Sequence, residues 1–425
     1  MRGSGMIRPS VGHPRKSRLL LLSPALQRRL LWLAAIVAVV AYYPRFLKGD
    51  GLQVFVAAAE CMLRGETPLH CKTLIFAYPP FFALLSIPMT VMPVWLRDVF
   101  WYALLLGTIF ASLGLCEILA RSLFPAAWSE RDLALLRVFT FLLTLKFILA
   151  VLENQAYDSI AFVFIPLGLL ALQQRRSVLG GASLAAAAAL KVTPLIFLPY
   201  LLLKGRLAGA LAFAVVVVLL TVLPDILLPP KESWHTVTWL RGVMFAPFLA
   251  DAKSVSFQFW VTDSPMNQSF HAAVSRIFSE IDQPQQFALA VRTVSGLYMA
   301  IVAAILLRSR ADDRLVAVDG ALLVVSGLLL SPVSSQSHFI GLMLAYALLV
   351  AALIKVSSMR TFIAAMVLAS FVLATATSND AVGRAFTSWA LSHDLPMWGT
   401  LLLVVLLGLV IWFFTAKKVA SAMPG

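Results

Sequence analysis

A few polar positions in this apolar chain carry groups able to move a proton or hold an anion: Asp50, Glu153, Lys191 and His338, with Tyr78, Gln155, Asn267 and Gln268 as hydrogen-bonding company. A carboxylate accepts a proton from a hydroxyl, and an ammonium or imidazole offsets the charge of a departing phosphate. The set therefore suits a reaction in which an acceptor hydroxyl is deprotonated while a phosphate leaves. Each residue also has a plainer reading. Asp50 is placed to cap a helix, Lys191 to snorkel to a membrane surface, His338 to be a satisfied structural imidazole, Glu153 to be a solvated charge and Tyr78 to be a belt aromatic.

These groups must be positioned by membrane helices. The 425 residues are 60% hydrophobic and 13% charged, with mean hydropathy +0.89, beyond the usual soluble range of roughly 45–50% apolar. The net charge of +14 does not point to nucleic acid, because the basic residues gather between apolar runs. They stand at Arg28 and Arg29, Arg175 and Arg176, Lys204 and Arg206, Arg308 to Arg314, and Lys417 and Lys418. By the positive-inside rule these mark cytoplasmic ends. The sequence thus predicts an all-α, polytopic integral membrane protein of about twelve transmembrane helices. A basic cytoplasmic tail covers 1–29, the transmembrane domain 30–416 and a second cytoplasmic tail 417–425.

The run 30–43 is expected to be a retained first span, followed by an outer loop over 45–97 that carries interfacial helices. Asp50 and Gln53 suggest a capping box opening an amphipathic helix with Leu52, Phe55, Val56, Ala59 and Leu63 on one face, closed by Gly65 and Pro68. Residues 79–93 are too short for a span and lie at the outer surface, a choice that keeps Arg175 and Arg176 inside. The run 180–203 is broken by Lys191 and Pro194 into two short helices meeting near the outer face. A large outer loop follows over 228–286, rich in Trp234, His235, Trp239 and Trp260, and suited to cap a site or meet an acceptor. This topology brings Asp50, Glu153, Gln155, Lys191 and His338 to one face of the membrane.

Cys61 and Cys71 fall in the first outer loop, where they are either a disulfide or two separate thiols, and Cys116 sits in a span. Asp312-Asp313 reads as a solvated loop on the opposite side. The sequence has no P-loop, no Gly-rich strand-to-helix fingerprint and no Cys/His zinc spacing, so a lipid-borne donor fits better than a soluble nucleotide. A transporter or flippase is the alternative function. It calls for functional charges near the midplane and repeated halves, whereas here the polar residues collect at one face. A scaffold would leave Lys191 without a task.

The chain resembles the GT-C superfamily of polytopic glycosyltransferases, and more closely glycosyltransferase family 87. The likeness rests on Asp50 after the first span, Gly65 to Pro68 followed by Tyr78-Pro79-Pro80, Gln155, Lys191-x-x-Pro194, Asn267-Gln268-Ser269, and Ser331-Pro332-x-Ser334 leading to His338. It departs at Leu69, where the family often has Tyr, and at Ser335 and Ser337, where it often has Trp and a first His. The resemblance implies a polyprenyl monophosphate donor carrying mannose or another hexose, or a pentose, transferred with inversion to a lipid, glycan or protein acceptor. Asp50 would be the general base, and Lys191 with His338 would stabilise the departing phosphate. Tyr78, Glu153, Gln155, Asn267 and Gln268 would position substrate. No metal or cofactor is required by this scheme. The expected location is a bacterial inner (plasma) membrane, with the site facing the periplasm or cell exterior.

Overall fold

The computed structural model describes residues 37, 39–71, 76–245, 264–277, 284–357, 359–375 and 377–422. Among these the chain is helical with no strand, and it is a polytopic integral membrane protein. The described residues before Gly49, helical over 39–46, belong to one compact unit, and those from Gly49 onward form another. Most of the first expected span, and Trp260 of the large outer loop, lie outside the described residues.

The second unit opens with a surface assembly rather than a span. Helix α1 (Gly51–Leu63) is followed by a 3₁₀ turn at Pro68–His70 and by α2 (Pro80–Ser86), which runs into a second 3₁₀ turn at Ile87–Thr90. Pro79, Pro80 and Pro88 keep these pieces short. Helix α1 buries Leu52, Phe55, Val56, Ala58, Ala59, Cys61 and Met62, but Leu63, expected on that face, is exposed. The expected capping box does not form. The Gln53 and Val54 N–H groups donate to the Asp50 backbone oxygen (3.0 and 3.4 Å), and the Asp50 side chain makes no capping bond.

The transmembrane body follows: α3 (Val94–Leu123), α4 (Glu130–Glu153), α5 (Asp158–Gln173), α6 (Ser177–Leu190), α7 (Phe197–Leu203) and α8 (Leu207–Leu227). After α9 (His235–Trp239) and α10 (Phe270–Ile277) come α11 (Pro284–Arg308), α12 (Val316–Leu330), α13 (Leu342–Lys355) and α14 (Arg360–Thr375). Two short helices, α15 (Asn379–Val382) and α16 (Arg384–Ser392), precede α17 (Leu395–Ala422). Among the described residues six helices are long and apolar enough to cross a bilayer unaided: α3, α4, α8, α11, the segment His338–Lys355 and α17. The other crossings of the expected twelve would use shorter helices, among them α5, α6 and α14.

Helix α6 is almost entirely Ala, Gly, Ser and Leu, so its neighbours approach to backbone contact. A Cβ on Gly181 would strike the Gly209 carbonyl of α8, and one on Gly168 of α5 would stand 3.0 Å from the Gly180 carbonyl. Small-residue packing of this kind drives helix association in lipid, where apolar side chains gain nothing by leaving it. The helix stops at Lys191, whose extended backbone (φ −146°, ψ 130°) breaks the run ahead of Pro194. At the opposite end of the body, Lys204 pairs with the buried Asp319 (2.7 Å) and Lys355 with Asp132 (2.8 Å). There the expected solvated loop at Asp312-Asp313 holds for Asp313, which is exposed and pairs with Arg206 (2.6 Å), but not for Asp312, which is buried beneath Arg314 (2.7 Å) because the turn folds this cation back over it.

Candidate active site

Two glycines set the position of Asp50. A Cβ on Gly49 would collide with the Glu153 carbonyl oxygen, and one on Gly51 with that of Asn154, so no larger residue lets this strand of chain lie against the end of α4. Gln155 completes the clamp. Its backbone sits in the left-handed region (φ 51°), its side-chain oxygen accepts from the Leu52 N–H (3.1 Å), and its carbonyl accepts from Trp101 Nε1 (2.9 Å). A left-handed non-glycine residue costs energy and persists where its surroundings fix it. Gln155 thus supplies the first-turn bond that the Asp50 side chain would otherwise make, leaving that carboxylate exposed and uncapped. Glu153 is half-buried at the end of α4, and it is its carbonyl that meets Gly49.

Behind the clamp stands an aromatic cluster. Tyr78 meets Phe55 and Tyr157 edge-on (5.8 and 4.9 Å between centroids), and Tyr157 stacks on Phe82 (4.1 Å). Burial, followed by the charges of Asp158 and Asp50, pushes the Tyr78 hydroxyl well above its ordinary range, so this phenol stays a neutral donor. The loop that carries Tyr78 is tied on both sides. Cys61 and Cys71 are joined by a disulfide with Cα atoms 6.3 Å apart. The first part of the large outer loop lies over it, with Lys231 N–H donating to the Gly65 carbonyl (2.9 Å) and Trp239 Nε1 to that of Ala77 (3.2 Å). The buried Asp225, at the end of α8, accepts from the Thr236 N–H (3.1 Å) and so sets the start of α9.

Lys191 does not stand alone. Its ammonium is ion-paired with Asp158, the first residue of α5, and His338 Nε2 faces the same carboxylate oxygen at 3.8 Å. This cluster forms the polar lining of a narrow cleft of about 50 Å³ between α5, the Thr193–Ile196 turn, α12 and the His338 turn. Its other walls are apolar, with Phe162, Ile165, Pro194, Phe197, Leu328 and Ile340 among them. Asp158 is the residue that the sequence reading missed. The signal for Asp158 was present: a lysine inside a bilayer needs a counter-ion at the same depth, and Asp158 is an acid placed directly before an uncharged run at the correct end.

His338 is presented by the turn after α12. The Ser335 N–H points at its Nδ1 (3.3 Å), which turns Nε2 toward Asp158. Asn267 and Gln268 reach this turn from the other side. Asn267 donates to the Pro332 carbonyl and accepts from the Ser334 N–H (both 2.9 Å), while the Gln268 side chain donates to the Pro265 and Leu391 carbonyls (2.7 and 2.9 Å). Both are fully buried; Asn267 locks the turn that carries His338, and the Gln268 backbone N–H donates to the Ser334 carbonyl (2.9 Å). Arg276, ion-paired with Asp394, donates to the Asn267 carbonyl (3.0 Å) and ties the same segment to the start of α17. Burial raises the Asp394 carboxyl, and Arg276 pulls it partly back.

The chain therefore gathers at one end an exposed carboxylate, a half-buried phenol, and a cation with an imidazole lining an apolar cleft. Such a set is able to take a proton at Asp50 and to hold an anion with an apolar tail at Lys191 and His338. A polyprenol-phosphate-mannose-dependent alpha-(1-2)-phosphatidylinositol pentamannoside mannosyltransferase of Mycobacterium tuberculosis is 29% identical over 269 residues, 63% of this chain and 56% of that protein. The match thus spans little more than half of that relative's length. No solved structure was found to match the chain. The model of glycosyltransferase family 87 matches residues 76–332, which take in Tyr78, Gln155, Asp158, Lys191 and Asn267, and on this match over more than half its length the chain belongs to glycosyltransferase family 87.

Proposed function

We propose that the protein is a membrane glycosyltransferase that moves a mannose-like hexose or a pentose from a polyprenyl monophosphate to a hydroxyl of a lipid, glycan or protein. The observation that carries this reading is the exposed Asp50 carboxylate, held in place by Gly49, Gly51 and Gln155, together with the Lys191 and His338 side chains that line an apolar cleft. In the reaction Asp50 takes the proton of the acceptor hydroxyl as its oxygen bonds the anomeric carbon. The bond from that carbon to the phosphate oxygen breaks on the far side, and its electron pair leaves with the phosphate. The configuration inverts. Lys191 and His338 stabilise the charge that appears on the leaving phosphate, where a low-dielectric setting makes each contact count for more. Tyr78 hydrogen-bonds sugar or phosphate as a neutral phenol, Glu153 borders the acceptor side, and Asn267 and Gln268 act through the turn that holds His338. The lipid tail of the donor follows the apolar walls of the cleft. The site faces the periplasm or cell exterior of a bacterial inner membrane.

The relative's dependence on polyprenol-phosphate-mannose supports this donor class. The test is mass spectrometry of lipids and released glycans from cells lacking the gene, complemented with wild type or with Asp50→Asn at matched expression. Wild type is expected to restore a species one sugar heavier, and the variant to leave it missing. Equal restoration by both would reduce Asp50 to a surface residue and overturn the mechanism.

A further inference from the structure

The ion pair that Lys191 already makes has a consequence for how the site treats its ligand. The Lys191 ammonium is held by Asp158, whose carboxylate also faces His338 Nε2. Asp158 is buried, so its charge is compensated only while Lys191 stays near it. A phosphate entering the cleft competes with that carboxylate for one cation. The donor phosphodiester carries one negative charge. The monoester left after sugar transfer carries about −1.5 to −2 near neutral pH. The competitor gains charge as the reaction proceeds, while Asp158 does not.

We infer that Asp158 is a positioning residue that withholds Lys191 from the singly charged donor and yields it as the phosphate gains its second charge. The inference rests on the polyprenyl phosphate reading above. An interaction that is weak in the ground state and strong as charge develops accelerates the chemical step, whereas one equally strong in both only tightens binding. Asp158 makes the Lys191 contact of the first kind. It also limits the grip on the spent lipid phosphate, which has to leave before the next turnover.

The experiment is a titration of the purified full-length protein with a short-chain polyprenyl monophosphate, read by native mass spectrometry, beside steady-state kinetics with the sugar-bearing donor. Asp158→Asn keeps the shape and removes the competing charge. It is expected to tighten polyprenyl phosphate binding about tenfold and to lower both the donor KM and kcat. Lys191→Met is expected to lose binding, and Asp158→Asn added to Lys191→Met to restore none of it. A merely structural Asp158 would give the opposite sign, and weaker or unchanged binding by a folded Asp158→Asn overturns the inference. Should that variant fail to fold, Lys191→Met decides. If Lys191 is withheld from the singly charged donor, this substitution should weaken monoester binding about tenfold more than binding of a polyprenyl phosphodiester, and an equal loss of both refutes the idea. A wild-type protein that binds no polyprenyl monophosphate would instead overturn the donor reading, and this inference with it.

Discussion

Gly51→Ala tests whether Asp50 works through its position. The added methyl would collide with the Asn154 carbonyl and lie 3.2 Å from that of Gln155, so the loop and α1 must part by roughly 1 Å. Overpacking of this kind costs about 1–3 kcal/mol. Loss of the Leu52 N–H bond to Gln155 (3.1 Å) adds about 1 kcal/mol. A base displaced by roughly 1 Å loses on the order of 10²-fold in rate. The expected outcome is a folded protein with a lower melting temperature, kcat reduced about 10²-fold and an unchanged donor KM, because the Lys191 end of the site is untouched. The assay is the initial rate of transfer from a polyprenyl phosphate sugar at saturating acceptor. Gly114→Ala on α3 is the control: nothing lies within 4 Å of its added methyl, and it should be neutral or stabilising by up to about 1 kcal/mol. A Gly51→Ala enzyme at more than about half the wild-type rate would refute the reasoning, since a clamp that tolerates a methyl is no clamp.

Further outcomes follow from other contacts. Asp50→Asn should lower kcat by about 10²–10⁴-fold with an unchanged melting temperature, because the side chain caps nothing; a parallel loss of stability in the thermal melt would assign it a structural task. Asn267→Ala breaks two bonds to the Pro332–Ser334 turn and should cost about 1–3 kcal/mol, with weaker polyprenyl phosphate binding by native mass spectrometry as the mark of a displaced His338. Reducing the Cys61–Cys71 bond, which closes a loop with a sequence separation of 10, should cost about 2–3 kcal/mol on loop entropy, read as a lower melting temperature with reductant and no change in a Cys61→Ser, Cys71→Ser variant. Burial holds the His271 imidazole below its ordinary 6.5. Its stabilising contribution is thus present above pH 6.5 and is lost as pH falls from there through the depressed value. His271→Leu should flatten that part of the melting-temperature profile.

Helix positions were legible because a bilayer leaves few choices. The runs read at 133–150, 208–227 and 361–375 fall within α4, α8 and α14, and the break at Lys191 and Pro194 is where α6 ends. Asp50, Glu153 and Gln155 were expected at one face, and the structure packs their backbones together. What the sequence hid is how polar groups are spent. Gln53 was expected to share a cap with Asp50, yet the first-turn partner of α1 comes from Gln155, some hundred residues on. Asn267 and Gln268 were read as binding groups, and their side-chain amides donate to backbone carbonyls. Asp158 was passed over, because its partner Lys191 is reached only across the α5–α6 hairpin. Local patterns place elements, whereas partners at such separations are chosen by packing.

The backbone-to-backbone seam of α5, α6 and α8 has a bearing on life in a changing membrane. Bilayers thin and thicken with temperature and lipid supply, and helices answer by tilting. Helices spaced by interlocking long side chains can tilt separately as rotamers shift. Helices whose glycines rest on each other's carbonyls have no such slack, so α5, α6 and α8 must tilt as one plate. Asp158 at the head of α5 and Lys191 at the foot of α6 then keep their registration whatever the thickness around them. A cell that remodels its lipids would alter the angle of this plate to the bilayer without retuning the charge pair mounted on its edge.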